Sequence, residues 1–193
     1  MIKTISLIGF NASGKDTLLK QILSIHKDFH KIINHTTRPK RENEIDGIDY
    51  FFITKDEFIN AINNKEFIEY RTYNTLLNNV PDVWYYGVKK DSIKEEKINI
   101  IASDIKSYLK FKELYGDDSV GIYLHCEPEE RRRRAKLRGD YDEFEFNRRL
   151  LDDENIYNSG LIEKNVDYII ESGNLMQNLL EFEYILNELM KNN

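Results

Sequence analysis

Ile2-Lys3-Thr4-Ile5-Ser6-Leu7-Ile8-Gly9-Phe10-Asn11-Ala12-Ser13-Gly14-Lys15-Asp16-Thr17 decides the architecture. Residues 2–8 form a short apolar run with β-branched members, the pattern of a buried strand. Leu18, Leu19, Ile22 and Leu23 then recur at helical spacing. Between them Gly9 through Lys15 reads G-x-x-x-x-G-K, in the strand–loop–helix setting that a phosphate-binding loop (P-loop) requires. Glycines let the backbone curl so that Asn11, Ala12, Ser13 and Gly14 can turn successive N–H groups on a phosphate. The helix start adds a favourable dipole, and Lys15 can reach the outer phosphates of a nucleotide. An ordinary glycine turn with a surface lysine is the plainer alternative, and the strand and helix on either side argue against it.

Outward from this loop, the apolar runs 97–103, 119–126 and 166–171 each precede a stretch of helical periodicity, at 104–115, 128–137 and 174–190. In the last of these, Leu175, Leu179, Phe182, Leu186 and Leu189 form one expected apolar stripe. Strands alternating with helices predict an α/β fold, a parallel sheet flanked by helices with right-handed crossovers. Residues 35–90 break the rhythm with a dense set of aromatics and read as short strands around one helix. That helix is expected to start at Thr54, where Glu57 completes a capping box.

The 193 residues suit one domain with small inserts. A net charge of −6 argues against a general nucleic-acid partner, whose affinity comes largely from neutralising phosphates. The single cysteine, Cys126, excludes an internal disulfide and any multi-cysteine metal site. No apolar run is long enough for a membrane span, and the start lacks an export signal, so a cytoplasmic location is expected. Charge is unevenly spread: residues 131–149 hold eight Arg or Lys against four Asp or Glu. At about 100° per residue the four consecutive arginines cannot all face one ligand, whereas Arg134 and Arg138, four apart, can.

A second signature runs from Asn34 to Phe52: N-H-T-T-R-P-K-R-E-N-E-I-D-G-I-D-Y-F-F. It resembles the guanylate kinase pattern T-T-R-x-x-R-x-x-E-x-x-G-x-x-Y-x-F at every fixed position. Phe67-Ile68-Glu69-Tyr70, Tyr86-Gly87, the arginines of 134–150 and Asp167-Tyr168-Ile169-Ile170 resemble later segments of the same family. The resemblance implies a P-loop NTPase fold with a core of residues 1–34 and 90–193. It also implies a nucleoside-monophosphate-binding insert at 35–89 and a lid at about 134–149. The implied reaction is ATP plus GMP giving ADP plus GDP with Mg²⁺. Lys15, Arg134, Arg138 and Arg149 would act on the transferring phosphoryl group. Asn34, Arg38, Arg41, Glu44, Tyr50, Glu69, Tyr86 and Asp104 would bind GMP. The side chains suit those roles: Arg38 and Arg41 are rigid forks for a phosphate, and Glu44 can orient an arginine. Glu69 can accept from both N1–H and the amine of guanine, and AMP would leave it unpaired.

Some positions depart from the pattern. Asp16 stands where a metal-binding Ser or Thr is expected, with Thr17 behind it, so Asp16 and Thr17 are the candidate Mg²⁺ residues. A helix-start acid is the plainer reading of Asp16. Ala102 replaces an acid at a strand end, and Asp104 keeps the second acid or serves only as a helix cap. Val88 cannot donate to guanine as a hydroxyl would, and the 73–86 stretch is longer than usual. Two alternatives stay open: a small-molecule kinase such as a ribose 1,5-bisphosphate phosphokinase, and a non-catalytic guanylate-kinase-like interaction module.

Overall fold

Alternation along β1 (Thr4–Ile8) sets the layering of the molecule, which is known from a computed structural model describing residues 2–77, 80–138 and 141–191. Ile5 and Leu7 face one side, and Ile8 faces the other. β1 is flanked by β7 (Asn99–Ser103) and β8 (Ser119–His125), both parallel to it. β2 (His30–Lys31) and β9 (Tyr168–Glu171) complete a five-stranded parallel sheet in the order β2-β7-β1-β8-β9. With β1 in the centre, the loop that follows it opens between β7 and β8.

Both faces of the sheet are covered, which explains why its strands read as nearly continuous apolar runs. Leu18, Leu19 and Ile22 of α1 (Lys15–Ile25) and Phe182, Ile185 and Leu186 of α6 (Leu175–Lys191) pack on Ile5, Leu7, Ile100 and Ile122. Each such fully buried side chain contributes about 1.5–3 kcal/mol of transfer free energy. On the opposite face Ile105 and Tyr108 of α3 (Ile105–Tyr115) pack on Ile8 and Tyr123. The α6 stripe is corrected at its start. Leu175 is the first helical residue and is 39% exposed, ahead of the turn that meets the sheet. Ile185, three residues after Phe182, is buried instead.

A second sheet carries residues 35–89 in the order β4-β3-β6-β5. It consists of β3 (His35–Thr36), β4 (Phe51–Phe52) and a long antiparallel hairpin, β5 (Phe67–Leu77) with β6 (Val80–Lys89). Residues 73–77 and 80–86 form the outer part of this hairpin. α2 (Lys55–Asn63) starts with the expected capping box, Thr54 accepting from Glu57 N–H while Glu57 accepts from Thr54 N–H. Its Phe58 stacks on Phe67 with ring centroids 4.4 Å apart. α4 (Pro128–Arg138) and α5 (Glu143–Asn158) follow β8. No helix among the described residues is long and apolar enough to cross a membrane.

Candidate active site

The turn after β1 has the backbone geometry that its glycines predict. Ala12 and Gly14 take left-handed φ values of 61° and 99°, and Gly14 caps α1. A Cβ on Gly9 would lie 2.5 Å from Ser13 Oγ, and one on Gly14 would lie 2.9 Å from Arg134 Nη1. Lys15 is the first residue of α1 rather than part of the loop, and its Nζ donates to Phe10 O at 3.3 Å. The free N–H groups of the first helical turn and the helix dipole favour an anion at this end.

Two arginines of α4 hold the loop by its carbonyls. Arg131 Nε donates to Asn11 O at 2.9 Å, and Arg134 Nη1 donates to Ser13 O at 2.6 Å and Ser172 Oγ at 3.1 Å. In a trans peptide the N–H points opposite to its carbonyl. The Ala12 and Gly14 N–H groups are therefore turned away from these arginines. Arg131 is buried, forms an ion pair with Asp153 of α5 and lies over the Phe10 ring at 5.1 Å. Burial pushes the Asp153 carboxyl up to about 6, against the pull of Arg131.

A cleft of about 640 Å³ runs from this loop to the second sheet. Gly9, Phe10, Asn11 and Lys15 line one part, and Asn34, Tyr50, Tyr86 and Asp104 line another. Arg148 and Arg149 of α5 line the same cleft, both ion-paired with Glu145. Tyr73 of β5 reaches across to α5, its hydroxyl donating to Glu145 Oε1 at 3.1 Å and accepting from Arg148 Nη2.

At the second sheet charges are paired with one another. Arg38, 5% exposed, makes a two-pronged contact with Glu44, Nη2 to Oε1 at 2.7 Å and Nη1 to Oε2 at 3.0 Å. Burial alone would raise the Glu44 pKa, and the Arg38 hydrogen bonds outweigh it and hold Glu44 low. Arg41 donates its N–H to the same carboxylate at 2.8 Å, and its side chain borders a small hollow with Asn11 and Arg149. Glu69 is buried and accepts from Ser107 Oγ at 2.9 Å and Arg71 Nη1 at 2.8 Å. Arg71 Nε also pairs with Asp104, which caps α3 by accepting from Ser107 N–H at 2.9 Å. Asn34 Oδ1 is buried with no hydrogen-bond partner among the described residues.

The structure therefore gathers Asn11, Lys15, Asn34, Tyr50, Tyr86, Asp104 and Arg149 around one cleft. Arg38 and Glu44 form a buried pair outside its lining, Glu69 lies behind Arg71, and Arg134 sits behind the loop. Arg138 ends α4, and its side chain lies outside the described residues. Arg71, Tyr73, Ser107, Arg131 and Asp153 escaped the motif reading. Arg71 carried one signal: on a strand it shares a face with Glu69, two residues away.

Among the described residues no group of three or more His, Cys, Asp or Glu is placed to hold a metal. Asp16 and Thr17 are exposed in the first turn of α1. One carboxylate and one hydroxyl beside an anion site fit a Mg²⁺ that takes most of its ligands from phosphate and water. They do not fit a resident metal.

The guanylate kinase family model matches residues 1–188. The chain belongs to the guanylate kinase family. It is 30% identical over 178 residues to a guanylate kinase of Caldanaerobacter subterraneus, covering 86% of this chain and 82% of that one. It is 34% identical over 140 residues to a Clostridium perfringens guanylate kinase, covering 70% of this chain and 61% of that one. It is 31% identical over 135 residues to the rice protein "Guanylate kinase 2, chloroplastic/mitochondrial", covering 67% of this chain. The chain spans 44% of the rice relative's length and 61% of the clostridial one's, short of two thirds in both. A crystal structure of guanylate kinase from Anaplasma phagocytophilum has the same fold. Its TM-score is 0.62 at 23% identity, over 97% of this chain and 86% of that one.

Proposed function

We propose that this chain transfers the γ-phosphoryl group of ATP to GMP, giving ADP and GDP. The observation that best supports this is the single cleft shared by the phosphate-binding loop, Tyr50, Tyr86, Asp104 and the α5 arginines. In this reading residues 35–89 form the GMP-binding insert, residues 134–149 the lid, and the remainder the core. A phosphate oxygen of GMP attacks the γ-phosphorus, and the bond to the β–γ bridging oxygen breaks, leaving that oxygen on ADP. Such a transfer asks the protein mainly for positioning and charge stabilisation.

Residues 11–17 cradle the donor phosphates with backbone N–H groups, and Lys15 places its ammonium on the transferring group. Arg149 offsets charge that spreads over the equatorial oxygens, and Arg138 joins it from the end of α4. Arg134 acts from behind by fixing Ser13. Arg38 and Arg41, kept in place by Glu44, bind the acceptor phosphate with the Tyr50 and Tyr86 hydroxyls. Asn34, Glu69 and Asp104 read the base. Asp16 and Thr17 would hold Mg²⁺, which when bound neutralises the polyphosphate and makes ADP a better leaving group. A cytoplasmic location and small-molecule partners, with neither nucleic acid nor membrane, go with this reading.

ADP release measured with GMP, dGMP, AMP, UMP and ribose 1,5-bisphosphate tests it. GMP is expected to be the best of the five. AMP turnover equal to GMP, or activity on the sugar bisphosphate alone, would overturn it. Failure to bind ATP in a titration would favour the non-catalytic module.

A further inference from the structure

We propose that Arg71 is a built-in stand-in for the acceptor base: its guanidinium occupies the donor-binding face of the base pocket, and GMP binds by displacing it. The proposal rests on the reading of Glu69 and Asp104 as base-recognition acids. Guanine's N1–C2–N2–N3 edge is itself a planar guanidine unit whose N1–H and amine donate to carboxylates. Arg71 presents the same chemical unit to the same two acids, through Nη1 to Glu69 at 2.8 Å and Nε to Asp104.

Access argues in the same direction. The Glu69 side chain is 3% exposed and that of Arg71 is 23% exposed. Arg71 lines the cleft and Glu69 does not, so the guanidinium stands between Glu69 and an incoming base. Strand register fixes this placement. Glu69 and Arg71 share a face of β5, and Arg71 pairs directly with Tyr86 of β6, its guanidinium 5.7 Å from that ring. A swing of one side chain would open the pocket without moving the sheet.

Electrostatics explain why the pocket fills itself. Burial raises the Glu69 pKa, and Arg71 is the largest influence pulling it back. Burial would likewise lower the Arg71 pKa, but Asp104 and Glu69 outweigh it and keep the guanidinium charged. A base that displaces Arg71 must replace donors to two carboxylates at once. Guanine offers adjacent donors on one edge, whereas adenine and uracil offer fewer there. The expected consequence is weak GMP binding combined with strict selectivity.

The test is steady-state kinetics of Arg71→Ala with GMP and ATP varied separately. The KM for GMP should fall about tenfold while the KM for ATP stays put, the size expected when one charged hydrogen-bonded competitor is removed. Guanidinium chloride at tens of millimolar, far below the molar range that unfolds proteins, should then raise the variant's KM for GMP competitively. Sodium chloride at the same ionic strength should not. If Arg71→Ala does not fold, Arg71→Lys serves: one ammonium cannot bridge both acids, so a smaller fall in KM is expected. An unchanged or higher KM for GMP in a folded variant that still turns GMP over would overturn the stand-in role and leave the kinase reading intact. If neither wild type nor variant phosphorylates GMP, the kinase reading fails and this inference falls with it.

Discussion

The two ends of the cleft differ in what their arginines hold: backbone at one, side chains at the other. At the loop end Arg131 and Arg134 hold the backbone, donating to the carbonyls of Asn11 and Ser13 while pairing with Asp153 and Glu130. At the base end Arg38 and Arg71 are paired with carboxylates, those of Glu44, Glu69 and Asp104. The hydrogen bonds to carbonyls fix the shape of the loop, and Lys15, whose ammonium donates to the Phe10 carbonyl, is the cation it presents. In the proposed reading the Arg71 pairs with Glu69 and Asp104 must open for a base to enter, while the Arg38–Glu44 pair stays. On that reading one end is preorganised for an anion, and the other is gated by its own charges.

Lys15→Ala should have the largest effect on this contrast. Among the described residues its ammonium donates to a loop carbonyl alone, so the melting temperature should stay near wild type. The rate of transfer should fall at least about a thousandfold, roughly 4 kcal/mol of transition-state stabilisation. Retained kcat in a folded variant would remove the loop end from the mechanism.

Asp153→Asn comes next. It leaves Arg131 buried without its carboxylate, and breaking a buried pair from one side costs about 3 kcal/mol or more. Urea unfolding should show that loss. A neutral result would mean that the loop does not depend on the Arg131 anchor.

Arg38→Ala should raise the KM for GMP roughly ten- to a hundredfold, the range of one charged hydrogen bond, and leave the KM for ATP alone. Equal losses for both nucleotides would erase the distinction between the ends.

The smallest expected effect is a pH response of opposite sign at the two ends. His35 of β3 stacks on Phe51 with ring centroids 4.8 Å apart, and burial lowers its pKa to about 4. A depressed pKa means that its stability is present above the usual histidine pKa, near 6.5, and lost as pH falls through about 4. Asp153, raised to about 6, behaves in reverse: its contribution is full below the ordinary aspartate range and lost as pH rises through about 6. His35→Phe should therefore reduce the acid-induced loss by on the order of 1 kcal/mol, read as urea midpoints at pH 7 and pH 4.5. No change between those midpoint shifts would show that His35 is not held neutral.

Much of the loop end was legible in the sequence because its parts are contiguous. Gly9 through Lys15 sit between one strand and one helix, and both glycines are demanded by local geometry. The Thr54 cap was legible for the same reason. Arg131 was hidden within four consecutive arginines. Helical periodicity shows that they diverge, but which one turns inward depends on Asn11 and Asp153, distant in the chain. Arg71 was hidden differently. Its partners Glu69 and Asp104 were singled out, yet their meeting with Arg71 needs the β5–β6 register and the docking of α3 against β5. Leu175 was misread because periodicity gives a face and not the turn at which that face meets the sheet.

The most direct test of the contrast is a structure of this protein with GMP and a non-hydrolysable ATP analogue bound together. It should show the triphosphate on the loop, with Arg131 and Arg134 still donating to Asn11 and Ser13. The guanine edge should lie on Glu69 and Asp104, with Arg71 swung clear of both acids. Guanine bound elsewhere with the Arg71–Glu69 pair intact, or a loop rebuilt around the triphosphate, would contradict it.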